Sequence, residues 1–422
     1  MKTFVSLFLL LPAAALAQQQ VKPPIANYWV SVDTAAGMTM PGMGGMGGGF
    51  MAGMMGGQGS SGRKMLLQLA SQRPSADGPR ADHLIPPGMD MGPLLPLLTP
   101  QRVPVERGEP GERSMPQGME QPRGRMLIYW GCGENARPGQ PLIIDFAALS
   151  QGQTPPGMTS RRVSIPNPPS PGRARTYGDW PNQQDGKAVP ASASLRGDHQ
   201  IKGNYSPDIQ FALGEGHDFM DRVELATAAR GAGAVNVSWN AVGTATGYFA
   251  MVFGSEGNDT VMWSSSEVQE MGGMLMNYVP PAEVARLVRE KIVLAPSVTE
   301  CAVPAEVVKR AGGTPFFNFI AYGPEANFVH PPRPKDPKQV WEQQWAVKVR
   351  FKSTASTLLG DAGGGGRRSA RARSRPPSRG RSLPRGRTRS RKVSTFCGAS
   401  SAGRRNPPRV CRGGSGRKRG RG

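Results

Sequence analysis

A segment between residues 37 and 59, in which almost every residue is Gly or Met, carries the residues whose type and spacing first suggest chemistry. The methionines that repeat at three-residue spacing are Met40, Met43, Met46, Met51 and Met54. Thioether sulfurs are soft ligands that suit Cu(I) and Ag(I). The spacing suggests Cu(I) binding. The alternative is a glycine-rich linker that binds no metal, since the segment contains no histidine or cysteine and a flexible chain loses much entropy when it is ordered.

The same segment contains Gly42-Met43-Gly44-Gly45-Met46-Gly47, which satisfies the pattern G-x-G-x-x-G. In a dinucleotide site these glycines follow a strand and open a helix whose N-terminus holds the pyrophosphate. The glycine-rich residues after Gly47 cannot form that helix. We therefore interpret the match as a result of composition and predict no bound cofactor other than Cu(I).

Histidine pairings offer little catalytic chemistry in this chain, which also lacks H-E-x-x-H, G-x-S-x-G and P-loop motifs. The histidines are His83, His199, His217 and His330. His217 with Asp218 and Asp221 has the residue types of a divalent metal site, and Asp198 next to His199 those of an acid–base pair. The alternative is that the aspartates cap turns or helix starts. We favour that alternative, and the sequence predicts a non-enzymatic protein.

The N-terminus has the features of a secretory signal peptide. A positive start, Met1-Lys2, precedes apolar residues 4–11, and the small residues Ala15 and Ala17 mark a cleavage site before Gln18. The apolar stretch is shorter than the roughly 18 residues of a transmembrane helix, and no later segment approaches that length. We expect cleavage between Ala17 and Gln18, no membrane span, and a secreted or periplasmic protein.

Two cysteines lie in the body of the chain, Cys132 and Cys301, and two more in its C-terminal tail. In an oxidising compartment the body cysteines are most simply interpreted as one disulfide. The alternatives are two separate buried thiols, or a reactive Cys132 between two glycines. The disulfide would join the early and late parts of the body into one unit.

The net charge of +22 is confined almost entirely to the tail, residues 361–422, which holds 20 Lys and Arg against one acid. The other 360 residues have a net charge of only +3. If the tail is native, its arginines predict binding to nucleic acid or anionic surfaces by counterion release. The alternative is a frameshift product of GC-rich DNA, because the composition changes abruptly after a strand to Arg, Gly, Pro and Ser. The body itself gives no reason to expect nucleic-acid binding.

Glycine and proline make up 97 of the 422 residues, so less of the chain can pack than its length suggests. Runs rich in β-branched and aromatic residues predict strands at 26–32, 64–71, 125–132, 209–213, 222–227, 234–239, 247–254, 259–265, 316–322 and 345–351, with 141–146 as the hairpin partner of 125–132. Apolar spacing after prolines predicts helices from residue 280 to 292 and from 304 to about 310. These elements predict a mainly β protein, an immunoglobulin-like antiparallel sandwich with one or two short helices.

The predicted organisation is a body interrupted by long disordered insertions. Its parts are a signal peptide (1–17), a first strand region (18–36), a Met/Gly-rich disordered segment (37–60), a β-rich part (61–149), a Pro/Gly/Ser-rich disordered insertion (150–190), a sandwich-like part (191–360) and a disordered tail (361–422). The insertions are predicted to be disordered because they contain little that can be buried.

Two resemblances support the predicted fold. Residues 237–248, with Trp239 and Tyr248, resemble the crossing between strands in fibronectin type III and immunoglobulin-like domains, which implies that both rings pack in a sandwich core. The Met/Gly-rich segment after a signal peptide, with residues 129–134 and 263–267, resembles a group of uncharacterised exported proteobacterial proteins. Neither resemblance implies an activity. The sequence therefore predicts an exported β-rich module with a binding or envelope-associated role.

Overall fold

A computed structural model describes residues 19–37, 61–75, 77–100, 124–153, 162–270, 273–313 and 315–360. The strands are β1 (Val21–Lys22), β2 (Ala26–Gly37), β3 (Gly62–Ser71), β4 (Ala81–Leu84), β5 (Leu94–Leu97), β6 (Arg125–Trp130), β7 (Leu142–Asp145), β8 (Thr176–Trp180), β9 (Gly197–Gly203), β10 (Ile209–Leu213), β11 (Leu225–Arg230), β12 (Ala234–Trp239), β13 (Gly247–Glu256), β14 (Asp259–Ser264), β15 (Glu300–Val303), β16 (Phe316–His330), β17 (Trp341–Glu342) and β18 (Trp345–Leu358). The helices are α1 (Phe146–Ser150), α2 (Pro281–Arg289) and α3 (Ala305–Arg310), with short 3-10 turns at Pro87–Met89, Pro171–Arg173, Gly231–Gly233 and Gly273–Met276. The predicted mainly β class is confirmed.

A nine-stranded sheet with the order β7-β6-β14-β13-β16-β18-β2-β3-β8 forms the centre of the fold. Most neighbours are antiparallel, including the predicted hairpin of β6 and β7. The pairs β14–β6 and β18–β2 are parallel, so the sheet is mixed. The β18–β2 pair joins the last strand of the body to its second strand. The described residues belong to one compact unit.

One face of this sheet is closed by two smaller sheets, β10-β9-β4-β5 and β11-β12-β15. The large core between them contains Tyr28, Val349 and Phe319 from the central sheet, Ile201 from the first small sheet and Val237 from the second. This arrangement gives the described body its sandwich character. Trp239 and Tyr248 lie in this core with ring centroids 5.8 Å apart.

The opposite face of the central sheet divides into an apolar half and a charged half. On the apolar half, Phe249, Met251 and Ile320 pack against Val284 and Leu287 of α2 in a second core. Burial on both faces explains why β13 has a continuous apolar run instead of alternation. On the charged half, β18, β2 and β3 carry polar side chains, and this half contains the candidate site.

Two features of the predicted organisation are corrected by the structure. The disorder predicted for residues 150–190 is wrong for residues 162–190, because β8 pairs with the edge strand β3 and buries Trp180. The strands β4, β5, β9 and β15 were also missed, since they are short and, in β9, the inward side chains are only His199 and Ile201. A short strand at the rim of a sheet buries too few apolar residues to show a clear period.

No helix within the described ranges is long and apolar enough to cross a membrane. The Met/Gly-rich segment from residue 38 to 60 and the tail from residue 361 lie outside those ranges. The disorder predicted for both therefore stays a prediction.

Candidate functional site

A row of charged side chains crosses the charged half of the central sheet. Asp33 of β2 is the direct cross-strand partner of Lys352 on β18 and of Lys64 on β3. Because side chains on a strand alternate between faces, Arg350 and Ser31 form the next row on the same face. The inward residues between them, such as Val349, enter the apolar core instead.

Asp33 and Lys352 are buried charges on this face. Asp33 is 8% exposed and accepts hydrogen bonds from the Thr354 hydroxyl at both carboxylate oxygens, at 3.0 and 3.2 Å. Lys352 is 6% exposed, and its ammonium lies 3.8 Å from the nearer Asp33 oxygen, beyond hydrogen-bond distance. The pair therefore balances charge without satisfying the donors of Lys352.

Arg350 is held between two aromatic rings beside this pair. Its guanidinium carbon lies 4.7 Å from the ring centroid of Trp29 and 4.4 Å from that of Tyr278, and its Nε donates to the Ser31 hydroxyl at 2.8 Å. Burial lowers the pKa of Arg350. In the part of the chain that the structure describes, no carboxylate lies within ion-pair distance of this guanidinium. Cation–π contacts with the two rings thus stabilise Arg350, and the negative charge of Glu325 on the neighbouring strand adds to this.

Tyr278 covers the row from the loop that precedes α2. Its ring lies over Arg350 and is 4.7 Å from the Lys352 ammonium. Burial raises the pKa of the Tyr278 hydroxyl well above its usual value, and the negative charge of Asp33 adds to this shift. The hydroxyl therefore stays protonated and can donate a hydrogen bond at neutral pH.

An open cleft of about 580 Å³ lies over the row, and we call it the charged cleft. The residues that matter for its chemistry are Ser31, Asp33, Lys64, Leu66, Tyr278 and Lys352. Among the described residues, four basic side chains and one acid line it. Burial lowers the pKa of the Lys64 ammonium, Asp33 offsets part of that shift, and Lys352 adds to it. The cleft is of the size that small molecules occupy in proteins.

A second polar group is a fully buried chain of hydrogen bonds through two histidines. His199 Nε2 lies 2.7 Å from the Leu195 carbonyl, which can only accept, so this nitrogen donates. In the neutral ring His199 Nδ1 then accepts from His83 Nε2 at 2.9 Å, and His83 Nδ1 accepts from the Tyr28 hydroxyl at 2.9 Å. Phe211 stacks on His199 with centroids 4.8 Å apart. These hydrogen bonds link the buried side chains of β2, β4 and β9, and neither histidine lines the charged cleft.

Sequence reasoning paired His199 with Asp198 and proposed no contact between histidines, whereas the structure brings His83 and His199 together. Alternation along β4 and β9 could have placed both histidines on the inward face. Each strand is too short for that alternation to be recognised in the sequence. Asp198 does not hydrogen-bond to His199, whose ring nitrogens are both used in the chain.

At His217 the structure has the turn that we favoured over a metal site. Asp218 accepts from the Ser194 hydroxyl at 2.6 Å and from the Leu195 and Phe219 amides, as the alternative interpretation expected. Within the described ranges no three His, Cys, Asp or Glu side chains form a metal-binding group. The methionines of the Cu(I) hypothesis lie outside those ranges, so that hypothesis stays a prediction.

The predicted disulfide between Cys132 and Cys301 is present, with Cα atoms 5.2 Å apart. It joins the end of β6 in the central sheet to β15 in the three-stranded sheet. A hydrogen bond from the Gly133 amide to the Ala302 carbonyl, 2.9 Å long, runs beside it. The bond therefore connects the two layers of the sandwich, and the alternative of two separate thiols is excluded.

The fold and the cleft together define a β-sandwich-like protein with a charged, small-molecule-sized cleft on its central sheet. No protein-family model matches the chain, and no curated protein matches it.

Proposed function

We propose that this chain is an exported, non-enzymatic binding protein whose β-rich body holds a small polar ligand in the charged cleft. The observation that carries the proposal is the row of charges in which Lys352 and Asp33 are buried and Lys64 is half-buried, because this row lines an open cleft instead of a closed core. Moving charges out of water costs several kcal/mol per ion unless they are well paired. A ligand-binding role explains why these charges are placed in the cleft in spite of that cost.

The chemistry of the cleft supports binding over catalysis. Among the described residues that line it there is no histidine or cysteine, and its carboxylate, Asp33, is held by Thr354 and Lys352. General acid–base catalysis needs a group whose pKa lies near the working pH and which can reach the reacting atom. The cleft instead offers fixed charges and hydroxyl donors, which are recognition groups.

Export is the second part of the proposal. The signal-peptide features of the N-terminus support it, and the Cys132–Cys301 bond fits an oxidising compartment. We expect N-terminal sequencing of the exported chain to begin at Gln18. A mature chain that still begins at Met1, recovered from the cytosol, would contradict this part of the proposal and leave the cleft unaffected.

Filling the cleft tests the binding part. Leu66 lines the cleft and is 38% exposed, so Leu66→Trp can fill the space without removing a charge. We expect at least one member of a panel of sugars, amino acids, carboxylates and phosphates to raise the Tm of the native chain by about 5 °C at 100 times its Kd. Leu66→Trp should lose this rise, as measured by differential scanning fluorimetry.

Met274→Trp is the matched control, because Met274 is 58% exposed and does not line the cleft. This variant should keep the full ligand-induced rise in Tm. If no compound raises the Tm of the native chain, or if both tryptophan variants respond equally, the charged cleft is not a binding site.

A further inference from the structure

We propose that the charged cleft recognises a small anion, through a carboxylate or phosphate group bound by the ammonium groups of Lys352 and Lys64. This inference rests on the proposed binding function and adds the chemical class of the ligand. It follows from the charge of the cleft, from the donors that Lys352 leaves without acceptors, and from the position of Asp33 between the two lysines.

The charge balance of the cleft is positive. Its basic lining residues are Arg63, Lys64, Lys187 and Lys352. Lys187 is paired with Asp185 at 3.2 Å, and Asp33 is the acid that faces Lys64 and Lys352. Arg350, in the adjacent row, adds a further positive charge, and the carboxylate of its cross-strand neighbour Glu325 is ion-paired with Lys348. A ligand that brings negative charge would lower the repulsion among these groups.

The donors of Lys352 are the most specific observation. An ammonium has three N–H donors and no acceptor. Within the described ranges, Lys352 Nζ has no hydrogen-bond acceptor, since Asp33 is 3.8 Å away and the Tyr278 ring is a face contact at 4.7 Å. The side chain is nonetheless more than nine-tenths buried and lines the cleft. An anionic oxygen in the cleft would supply the acceptor that the protein does not.

The two lysines lie on either side of the same site. They project from β18 and β3, which flank β2, so their backbones are about 10 Å apart. Lysine side chains are long enough to converge over that distance on one anionic group. The protonated hydroxyl of Tyr278 lies on the same side of the sheet and adds a neutral donor. This set of donors suits an anion. A metal cation would find only one carboxylate, Asp33, among the described lining residues.

The position of Asp33 also predicts how its replacement changes affinity, because its carboxylate competes with an anionic ligand for both lysines. Asp33→Asn keeps an oxygen that can accept from Thr354 but removes the competing charge. The variant should therefore bind anions more tightly. A residue with a purely structural role would not increase affinity when it is replaced, so this result separates recognition from general damage to the fold.

The experiment is isothermal titration calorimetry of the full chain with inorganic phosphate and, separately, with succinate, at constant ionic strength. We expect saturable binding of one of the two, weakened at least about tenfold in Lys352→Met and in Lys64→Gln, and strengthened about tenfold in Asp33→Asn. Which of the two anions binds distinguishes a phosphate from a carboxylate ligand. Anion binding by the Arg-rich tail is the same in every variant, so the differences report on the cleft.

Lys309→Gln is the matched control, because Lys309 is an exposed lysine of α3 outside the cleft. It should bind like the native chain. Equal anion affinity in Lys352→Met, Lys64→Gln, Asp33→Asn and the native chain would overturn the inference. If neutral sugars bind and Leu66→Trp abolishes that binding while anions do not bind, the anion inference fails and the proposed binding function stands. If Lys352→Met does not fold, Lys64→Gln and Asp33→Asn still give opposite expected shifts.

Discussion

The variant Cys132→Ala/Cys301→Ala should have a free energy of unfolding about 5 kcal/mol lower than that of the native chain. The bond joins cysteines 169 residues apart, and the loop-entropy estimate for a loop of that length is about 5 kcal/mol, at the upper end of observed effects. The bond also connects the central sheet to the three-stranded sheet, so its loss allows the two layers to separate. Urea unfolding followed by tryptophan fluorescence measures the change.

The tail cysteines, Cys397 and Cys411, should be replaced by alanine in both proteins so that only the body bond differs. Adding a reducing agent should then destabilise the protein that keeps Cys132 and Cys301 to the level of the variant, and leave the variant unchanged. A loss below 1 kcal/mol would mean that the two layers hold together without the bond.

Stability should also fall steeply as the pH drops below 6.5, because His83 and His199 are buried in their neutral forms. Burial lowers the pKa of His83 well below 6.5, and the neighbouring His199 adds to that shift. Burial also lowers the pKa of His199, although the Leu195 carbonyl and Asp198 offset part of the shift. Below pH 6.5 the unfolded chain binds protons that the folded chain does not, so the free energy of unfolding decreases by up to about 1.4 kcal/mol per pH unit for each histidine.

This stability is fully present above pH 6.5 and is lost as the pH falls toward the lower folded-state pKa values. Urea unfolding at half-unit steps from pH 7 to 5 measures the slope. His330→Gln should keep the slope, because His330 is exposed. His83→Gln/His199→Gln should be less stable at pH 7 and show a much flatter profile. The same slope in both variants would show that other groups cause the acid sensitivity.

Several strands could be predicted from the sequence because their side chains show a clear period or an unbroken apolar run. The alternation at 345–351 predicted β18, and the continuous run at 247–254 predicted β13 as a buried strand. The predicted strand ended at Phe351, one residue before Lys352, whereas β18 continues to Leu358 and places Arg350 and Lys352 on one face. Which side chains from other strands they meet could not be predicted.

The charged cleft could not be predicted because its residues come from distant parts of the chain. Asp33, Lys64, Tyr278 and Lys352 are neighbours only because β18 pairs in parallel with β2, and β2 pairs with β3. Parallel pairing between strands more than 300 residues apart leaves no local pattern. A lone aspartate in a strand gives no sign that two lysines will flank it.

The edge strand β8 could not be predicted for a related reason. It lies in a Pro/Gly/Ser-rich region, and it is ordered by backbone hydrogen bonds to β3 and by burial of Trp180, neither of which depends on a local period. The buried pair of His83 and His199 is similar, since each histidine fills a position where a short strand usually places an aliphatic residue.

The sequence by itself determined the mainly β class, the β6–β7 hairpin, the helices after Pro280 and Pro304, and the pairing of Cys132 with Cys301, because local side-chain patterns or the small number of cysteines decide these features. The tertiary structure decided the strand order, the division of one sheet face into apolar and charged halves, and the cleft that we propose as the binding site. These features depend on contacts between residues far apart in sequence, whose free energy is gained only when the whole sheet is assembled.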